Sequence, residues 1–439
     1  MDQLSTTDIL VADYLKRKGF SSTLQSFETA LGRTVSATSI KYEPLEEIIE
    51  DRIKYFDFQK DLAEKSINNL RITSEFEKWS YPDLTSSRDL SKLVGSALVI
   101  HISISEFLIA GSMRTVLFVT SNDRKLTLVD LSTYNVISSF SDVNKSVGKC
   151  CYAIPSTDKF FSCGMDGILR LFQYSDAGLR EITSKQLHKR VITDFRIFQR
   201  DGRLFLVSIG WDNFLRIHEL MNDQIISISE FKLLSNATSL ALGFHGQHPI
   251  ILVTRLDSSQ ISYFTLYSNL LLEIVRVSLN DAEFSTHGFT PMALCLSSSD
   301  FKENPKIAVG TSHTPYMRVI VTKAPKLEEL LGAIATQTFS SEQSLTLPTL
   351  RGHILGNYHT TSPQDKFSSA SIQWRLDNSG VWIAGDDGII RGLEFQSGEI
   401  IRELKGGHDK RIKCLMKGEV EGKETLVSAG IDKIIVCWS

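Results

Sequence analysis

From about residue 90 onward the chain is built of short apolar runs. In each unit a β-branched or aromatic stretch leads through a Gly/Asp/Asn turn into a second such stretch, the signature of a hairpin. LVSIGWDNFLRIHEL from Leu206 and LVSAGIDKIIVCWS from Leu426 share the frame Leu-Val-Ser-x-Gly-x-Asp, with an apolar residue three after the Asp and a bulky one six after it. FSCGMDGILRLF around Asp166 and IAGDDGIIRGLEF around Asp387 repeat the frame, and VTSNDRKLTLVD around Asp123 and VTRLDSSQISYF around Asp257 are looser copies. Asp123, Asp166, Asp212 and Asp257 follow one another at 43, 46 and 45 residues, and Asp387 to Asp432 is again 45. That is the period of a propeller blade, not of a helical solenoid. The gap of 130 residues from Asp257 to Asp387 holds two units plus an insertion, and KIAVGTSHTPYMRVIVTK, with His313 or Thr314 in the turn, supplies the missing member. Seven units result.

Two units carry a histidine at fixed spacing: His188 precedes Asp212 by 24 residues and His408 precedes Asp432 by 24. The spacing lets an imidazole on one loop reach a carboxylate in the neighbouring hairpin turn. With Ser208 in the third unit, and with Ser428 and Trp438 in the last, a buried hydrogen-bond network is expected. In this respect the units resemble WD40 repeats, and the array over residues 90–439 resembles a seven-bladed β-propeller. Trp438 alone supplies the tryptophan of the pattern, with Val129, Phe172, His218, Phe264 and Leu393 in its place elsewhere. The chain ends directly after the third strand of the last unit, so a fourth must come from elsewhere to avoid an open edge. KLVGSALVI, Lys92 to Ile100, is the expected donor. Residues 321–366 are too long for a blade connection and read as an insertion loop, functional or disordered, with disorder the reading preferred.

The amino-terminal region follows a helical period instead. Ile9, Leu10, Tyr14 and Leu15 share a face, Gly19 stops the helix after Lys16, Arg17 and Lys18, and Ser21 or Ser22 is placed to cap a second helix bearing Leu24, Phe27 and Leu31. Two short amphipathic helices cannot bury their faces alone. Tyr14-Leu15, Gly19-Phe20, Thr23-Leu24 and Phe27 resemble the LisH motif, a two-helix dimerisation module, here over residues 1–38. Residues 39–82 read as a helical coiled-coil linker, because Ile49, Ile53, Phe56, Lys60, Ala63, Ile67 and Leu70 are spaced 4, 3, 4, 3, 4 and 3. The expected dimer interface is Leu10, Tyr14, Leu15, Phe20, Leu24, Phe27, Ile49, Ile53 and Phe56. Docking of these helices on the chain's own propeller is the alternative.

Composition narrows the chemistry. With 439 residues, 42% hydrophobic and a net charge of −3, the chain is neither disordered nor a general polyanion binder. The six cysteines form no C-x-x-C pair and read as reduced thiols. The start lacks a secretory core, and the apolar stretch Leu93–Thr120 is interrupted by His101, Glu106 and Arg114, so a cytoplasmic or nuclear protein without a membrane span is expected. Asn144-Lys-Ser and Asn236-Ala-Thr are then chance matches to the glycosylation sequon. No phosphate-binding loop, nucleophile elbow, zinc helix or kinase signature occurs, and the repeated aspartates are explained as turn residues. Asp386-Asp387 is the one paired carboxylate, with no third ligand near it in sequence. The innermost strands, such as ITDFRIF and CYAIP, read as largely apolar, which argues against an axial active site. No catalytic residue, metal or cofactor is expected, and no nucleic acid or membrane partner.

The remaining signal is a Lys-Arg pair after each network histidine, Lys189-Arg190 and Lys410-Arg411, beside Trp211 and Met165 in neighbouring turns. These six residues are the expected partner site, basic and aromatic, for an acidic peptide or loop. The function expected is a non-catalytic scaffold or adaptor, a homodimer presenting two propellers to other subunits of a complex. Proteins of this layout act in dynein regulation, transcriptional corepression, splicing and ubiquitin-ligase assembly. A ubiquitin-ligase receptor or core subunit, a propeller enzyme and a nucleic-acid-binding propeller are the alternatives.

Overall fold

The computed structural model describes residues 6–35, 45–46, 49, 76–80, 83–280, 288–336 and 347–439. The chain divides into two compact units, Met1–Ser74 and Glu75–Ser439. The second is a ring of seven antiparallel sheets. Blade 1 runs Val99–Ile109, Ser112–Ser121, Leu126–Asp130 and Asn135–Phe140, and each later blade repeats this up-and-down order from its innermost strand outward. The innermost strands of blades 2 to 7 are Gly148–Ala153, Ile192–Arg200, Ala237–His245, Pro291–Leu296, Ile372–Trp374 and Ile412–Val420. Each lies against the innermost strand of the next blade, and that of blade 7 lies against that of blade 1, so the ring closes around an axis. Seven apolar clusters fill the spaces between blades, with Phe107, Phe160, Phe205, Tyr263, Trp374 and Trp382 among the fully buried side chains.

The turn aspartates recur for a local reason. Asp166, Asp212, Asp387 and Asp432 each accept a hydrogen bond from the backbone N–H two residues on, at 3.1, 3.3, 3.3 and 3.1 Å. This fixes the hairpin turn between the second and third strands. The next residue is left-handed in each case: Gly167, Asn213, Gly388 and Lys433. The positions six after the aspartate share one rung, for Val129, Phe172, His218 and Trp438 pair with Leu117, Phe160, Leu206 and Leu426.

Three sequence expectations need correction. The strand that closes blade 7 is Ser87–Asp89, not Lys92–Ile100: Ser87, Arg88 and Asp89 pair with Trp438, Cys437 and Val436. Lys92 lies in a short helical turn, Ser91–Val94, held by Asp89 accepting from the Ser91 N–H at 2.8 Å, and Val99 and Ile100 already belong to blade 1. The closing strand is wholly exposed and polar, so it has no apolar signature; backbone pairing holds it, with Arg88 lying over the Tyr134 ring at 4.3 Å. Secondly, the propeller unit begins well before residue 90. Phe76 packs on Phe395 and Trp79 edge-on against Trp382, at 5.3 and 5.1 Å between ring centres, and Leu84 is buried between blades 6 and 7.

Thirdly, the described parts of 321–366 are ordered. Helix Leu327–Thr336 buries Leu327, Leu331 and Ile334 in the core of blades 4 and 5, and Thr349–Leu350 adds a parallel fifth strand to blade 4. Ile354–Pro363 is the outer strand of blade 5. His353 is half-buried; its ring lies 3.1 Å from the Arg351 carbonyl and its own carbonyl accepts from the Lys323 N–H, so its imidazole joins no turn aspartate.

In the amino-terminal unit, helix α1 (Thr6–Arg17) ends as expected. Gly19 is left-handed at φ 75°, its N–H bonds the Lys16 carbonyl, and the Phe20 N–H bonds that of Leu15. Helix α2 (Ser21–Leu31) is entered differently: Phe20 occupies the cap position without a side-chain bond, and neither Ser21 nor Ser22 caps. No side chain of α2 is fully buried, Phe20 is 50% exposed, and Leu10, Tyr14, Leu15, Leu24 and Phe27 are half-buried. Ile49 is exposed, and Ile53 and Phe56 lie outside the described residues, as does most of the heptad seam.

Candidate functional site

The buried networks form as the spacing implies. His188 Nδ1 lies 2.7 Å from Asp212 and its Nε2 2.9 Å from the Ser208 hydroxyl. In blade 7, His408 Nε2 lies 2.8 Å from Ser428 Oγ, Nδ1 lies 3.2 Å from Asp432, and Trp438 Nε1 donates to Ser428 at 2.9 Å. Glycine in the Leu-Val-Ser-x-Gly-x-Asp frame is explained here. A Cβ on Gly430 would sit 2.7 Å from His408 Nδ1, and one on Gly210 2.5 Å from His188 Nδ1. Burial pushes both imidazoles below their ordinary pKa against the pull of their aspartates, so they are neutral, with Nδ1–H donating. Burial works to raise Asp212, but bonds from His188 and Arg216 outweigh it and hold the carboxyl at about 2.

Blade 2 builds the same network from other residues. Asn144 donates to Ser162 at 2.7 Å and accepts from Arg170 at 3.2 Å, while Arg170 reaches Asp166 at 2.9 Å. Arg170, Arg216 and Arg391 each stand four after a turn aspartate and bind it. The Asp-x-x-x-Arg spacing is the sequence signal that marks these pairs.

The carboxylate end of these networks lies at one face of the ring, called here the upper face. It carries the turns between second and third strands and the links from each blade to the next. The residue before the turn aspartate is held in the same way in five blades. The N–H groups of Asn122, Met165, Trp211, Leu256 and Ile431 bond the carbonyls of Leu98, Val147, Val191, Asn236 and Arg411 at 2.9–3.0 Å. Asn122 is polar, and the four apolar side chains are exposed, Trp211 by 47%. Leu234, 81% exposed, and Phe367, 73% exposed, stand on links of the same face. An interrupted ring of apolar side chains therefore surrounds the upper opening.

The basic residues are arranged differently from expectation. Lys189 and Arg190 are exposed, with Arg190 over Trp211 at 5.9 Å. The second pair is offset by one residue, because Asp409 takes the place of Lys189: the backbone N–H of each reaches the turn aspartate at 3.1 Å. Lys410 thus corresponds to Arg190, and Arg411 to Val191. Arg411 is not open to a partner, since it is clamped to Asp365 at 2.9 Å, Asp386 at 2.8 Å and the Phe367 carbonyl at 2.9 Å. Among the described residues no group of three or more His, Cys, Asp or Glu is arranged to hold a metal, Asp386-Asp387 included.

The innermost strands are less apolar than their sequence implied. His101 of blade 1, Tyr152 of blade 2, and Asp194 and Arg196 of blade 3 form one chain: His101 Nε2 lies 3.1 Å from the Tyr152 hydroxyl, which lies 3.1 Å from Asp194 and 2.6 Å from Arg196. Burial holds His101 at about 3 and drives Tyr152 well above its usual value. Further ties stitch the inner edge: Ser103 to the Cys151 carbonyl, Thr238 to that of Pro291, and Gln373 to that of Leu415. All six cysteines are unpaired, and no described helix is long and apolar enough to cross a membrane.

Seven radial sheets, six of four strands and one of five, with Ser87–Asp89 completing the last, define a seven-bladed β-propeller protein. The chain belongs to the family described as UCP007778, beta-propeller domain, whose model matches residues 52–439. It is also similar to the uncharacterized protein YGR117C of Saccharomyces cerevisiae, 27% identical over 457 residues, which cover 93% of this chain and 92% of that one.

Proposed function

We propose that the protein is a non-catalytic scaffold that binds a protein partner on the upper face of its propeller and dimerises through its amino-terminal helices. The observation that carries the reading is the apolar ring: Met165, Trp211, Leu256 and Ile431 occupy one equivalent position in four blades, each exposed and each held rigidly by a backbone bond. Apolar side chains clustered on one face are characteristic of interaction sites, and rigid aromatic anchors are favoured in them. Arg190, Lys189 and Lys410 give the rim a basic character that suits an acidic partner. The aspartates and histidines that an enzyme would need are engaged in the blade networks, which favours binding over catalysis. Half-buried Leu10, Tyr14, Leu15, Leu24 and Phe27 with exposed Phe20 support pairing of α1 and α2 with a second copy, as the LisH resemblance implies. A cytoplasmic or nuclear location and a WD40-like ancestry of the blades belong to the same proposal.

The test is to tag the full-length chain in its own cells and compare co-purifying proteins for wild type, Trp211→Glu with Ile431→Glu, and Met221→Glu. Met221 is equally exposed but ends the third strand of blade 3, beside the turn of the opposite face. Loss of a partner in the first variant alone is expected. Loss only in the second would move the site to the other face.

A further inference from the structure

The innermost strands of six blades begin with a bulge, and the extra residue is Ile100, Lys149, Thr193, Thr238, Met292 or Lys413. A bulge leaves its extra residue out of the ladder and re-aims the side chain. Here that happens where each innermost strand enters from the upper face, at the mouth of the axial channel. In blades 2 and 7 the residue is a lysine. Blade 1 lies between those blades, so a charge on one senses the other through the axial space. Lys413 does so: burial lowers its pKa first, Cys414 opposes, and the positive charge of Lys149 lowers it. Lys149 acts in the same direction on His101. Neither lysine has a hydrogen-bond or ion-pair partner among the described residues.

Three residues beyond the bulge of blade 3, about 10 Å along the strand at most, Arg196 commits one nitrogen to Tyr152, Asp194 and the Phe195 carbonyl. Its side chain remains 33% exposed. Asp194, the carboxylate bonded within this cluster, is taken up by Arg196 and Tyr152. Two cations, Lys149 and Lys413, thus stand at the mouth, and a third, Arg196, lies deeper on the inner edge beside the one engaged carboxylate of Asp194. Unpaired, partly desolvated lysines that repel each other destabilise a fold and gain nothing from it. Local violations of this kind occur at functional sites.

We propose that the mouth of the axial channel binds a small polyphosphorylated anion, gripped by Lys149 and Lys413 and reached from below by the open edge of Arg196. Phosphate suits this set, since ammonium groups act on it as point charges and guanidinium as a fork. The spread of the three cations over several ångströms calls for a ligand with more than one phosphate. The site is distinct from the apolar ring and stands whether or not a protein docks there.

Calorimetric titration of the full-length protein with myo-inositol hexakisphosphate, and separately with pyrophosphate, tests it. One equivalent of the hexakisphosphate should bind. Lys149→Met with Lys413→Met should weaken it about a hundredfold, roughly tenfold for each charged contact, while exposed-lysine controls Lys232→Met with Lys302→Met leave it unchanged. The melting temperature of unliganded Lys413→Met should not fall below that of wild type, so that lost binding is not lost folding. Absence of binding by wild type, binding of several equivalents, or binding that survives the double substitution would overturn the proposal. So would equal competition by a hexaglutamate peptide, which would make the mouth part of a protein interface.

Discussion

Removing the closing strand should undo the whole propeller, because the last sheet is completed by residues almost 350 positions away in sequence. The Ser86 and Ser439 backbones exchange bonds at 2.8 and 3.1 Å, Thr85 N–H also reaches Ser439, and Leu90 N–H reaches Ile435 at 2.8 Å. The antiparallel register makes Arg88 and Cys437 a further bonded pair. Some six backbone bonds at about 1 kcal/mol net each join the loss of buried Phe76, Leu84 and Leu90, worth about 1.5–3 kcal/mol apiece. The sum is about 10–15 kcal/mol, which matches the entire stability of an ordinary domain. It would also bare the edge of Ile435–Trp438. A chain beginning at residue 75 should melt as the full-length propeller does, and a chain beginning at residue 91 should be insoluble or molten. Differential scanning calorimetry and gel filtration of the two truncations decide the matter. Equal solubility and melting temperature would refute the reasoning and place the closing strand elsewhere.

Other outcomes follow from the same geometry. Arg375 is fully buried between Trp79 at 3.8 Å and Glu424, whose carboxylate it meets at 3.1 Å across blades 6 and 7; Glu424→Ala should cost about 3–5 kcal/mol in denaturant unfolding, and a loss below 1 kcal/mol would show the pair to be dispensable. Burial holds His101 and His218 at about 3 and lowers His188 and His408, so all four are neutral when folded and take up protons on unfolding. Stability is then complete above the unfolded value near 6.5 and falls as the pH drops from there toward 3. His218→Phe, which copies Phe172 of blade 2, should flatten that decline in melting temperature, and an unchanged slope between pH 7 and 4 would contradict it. Light scattering coupled to gel filtration should give twice the 49.2 kDa chain mass for wild type and one chain mass for Phe20→Asp with Leu24→Asp; a monomeric wild type at micromolar concentration would remove the dimer.

What the sequence reveals and conceals follows from which forces leave a trace in it. The turn aspartates of blades 2, 3, 6 and 7 are visible because each bonds its own backbone two residues on, a local requirement that recurs with the hairpin. The His408, Ser428, Asp432 and Trp438 network is visible for the same reason, since hairpin geometry fixes its spacings. Ser87–Asp89 is invisible because an exposed edge strand held by backbone bonds needs no particular side chain. The strap of Phe76 and Trp79 is hidden by sequence distance, although Gly392 records it: a Cβ there would meet the Trp79 ring at 2.5 Å. The Lys-Arg pairs misled because identity of dipeptide is not identity of register, and Asp409 shifts the second pair by one. Asp194 and Arg196 looked incidental in an apolar strand; a bulge and an inter-blade tyrosine give them their place.

The upper face is the centre of the account, and a photo-crosslinking residue can interrogate it directly. Benzoylphenylalanine placed at Trp211 and, in a separate protein, at Met221 samples two equally exposed positions of blade 3 on opposite faces. Irradiation in cells should give a discrete covalent adduct to a partner from position 211 and none from position 221. Adducts from 221 alone, or identical adducts from both, would contradict the assignment of the upper face as the docking surface.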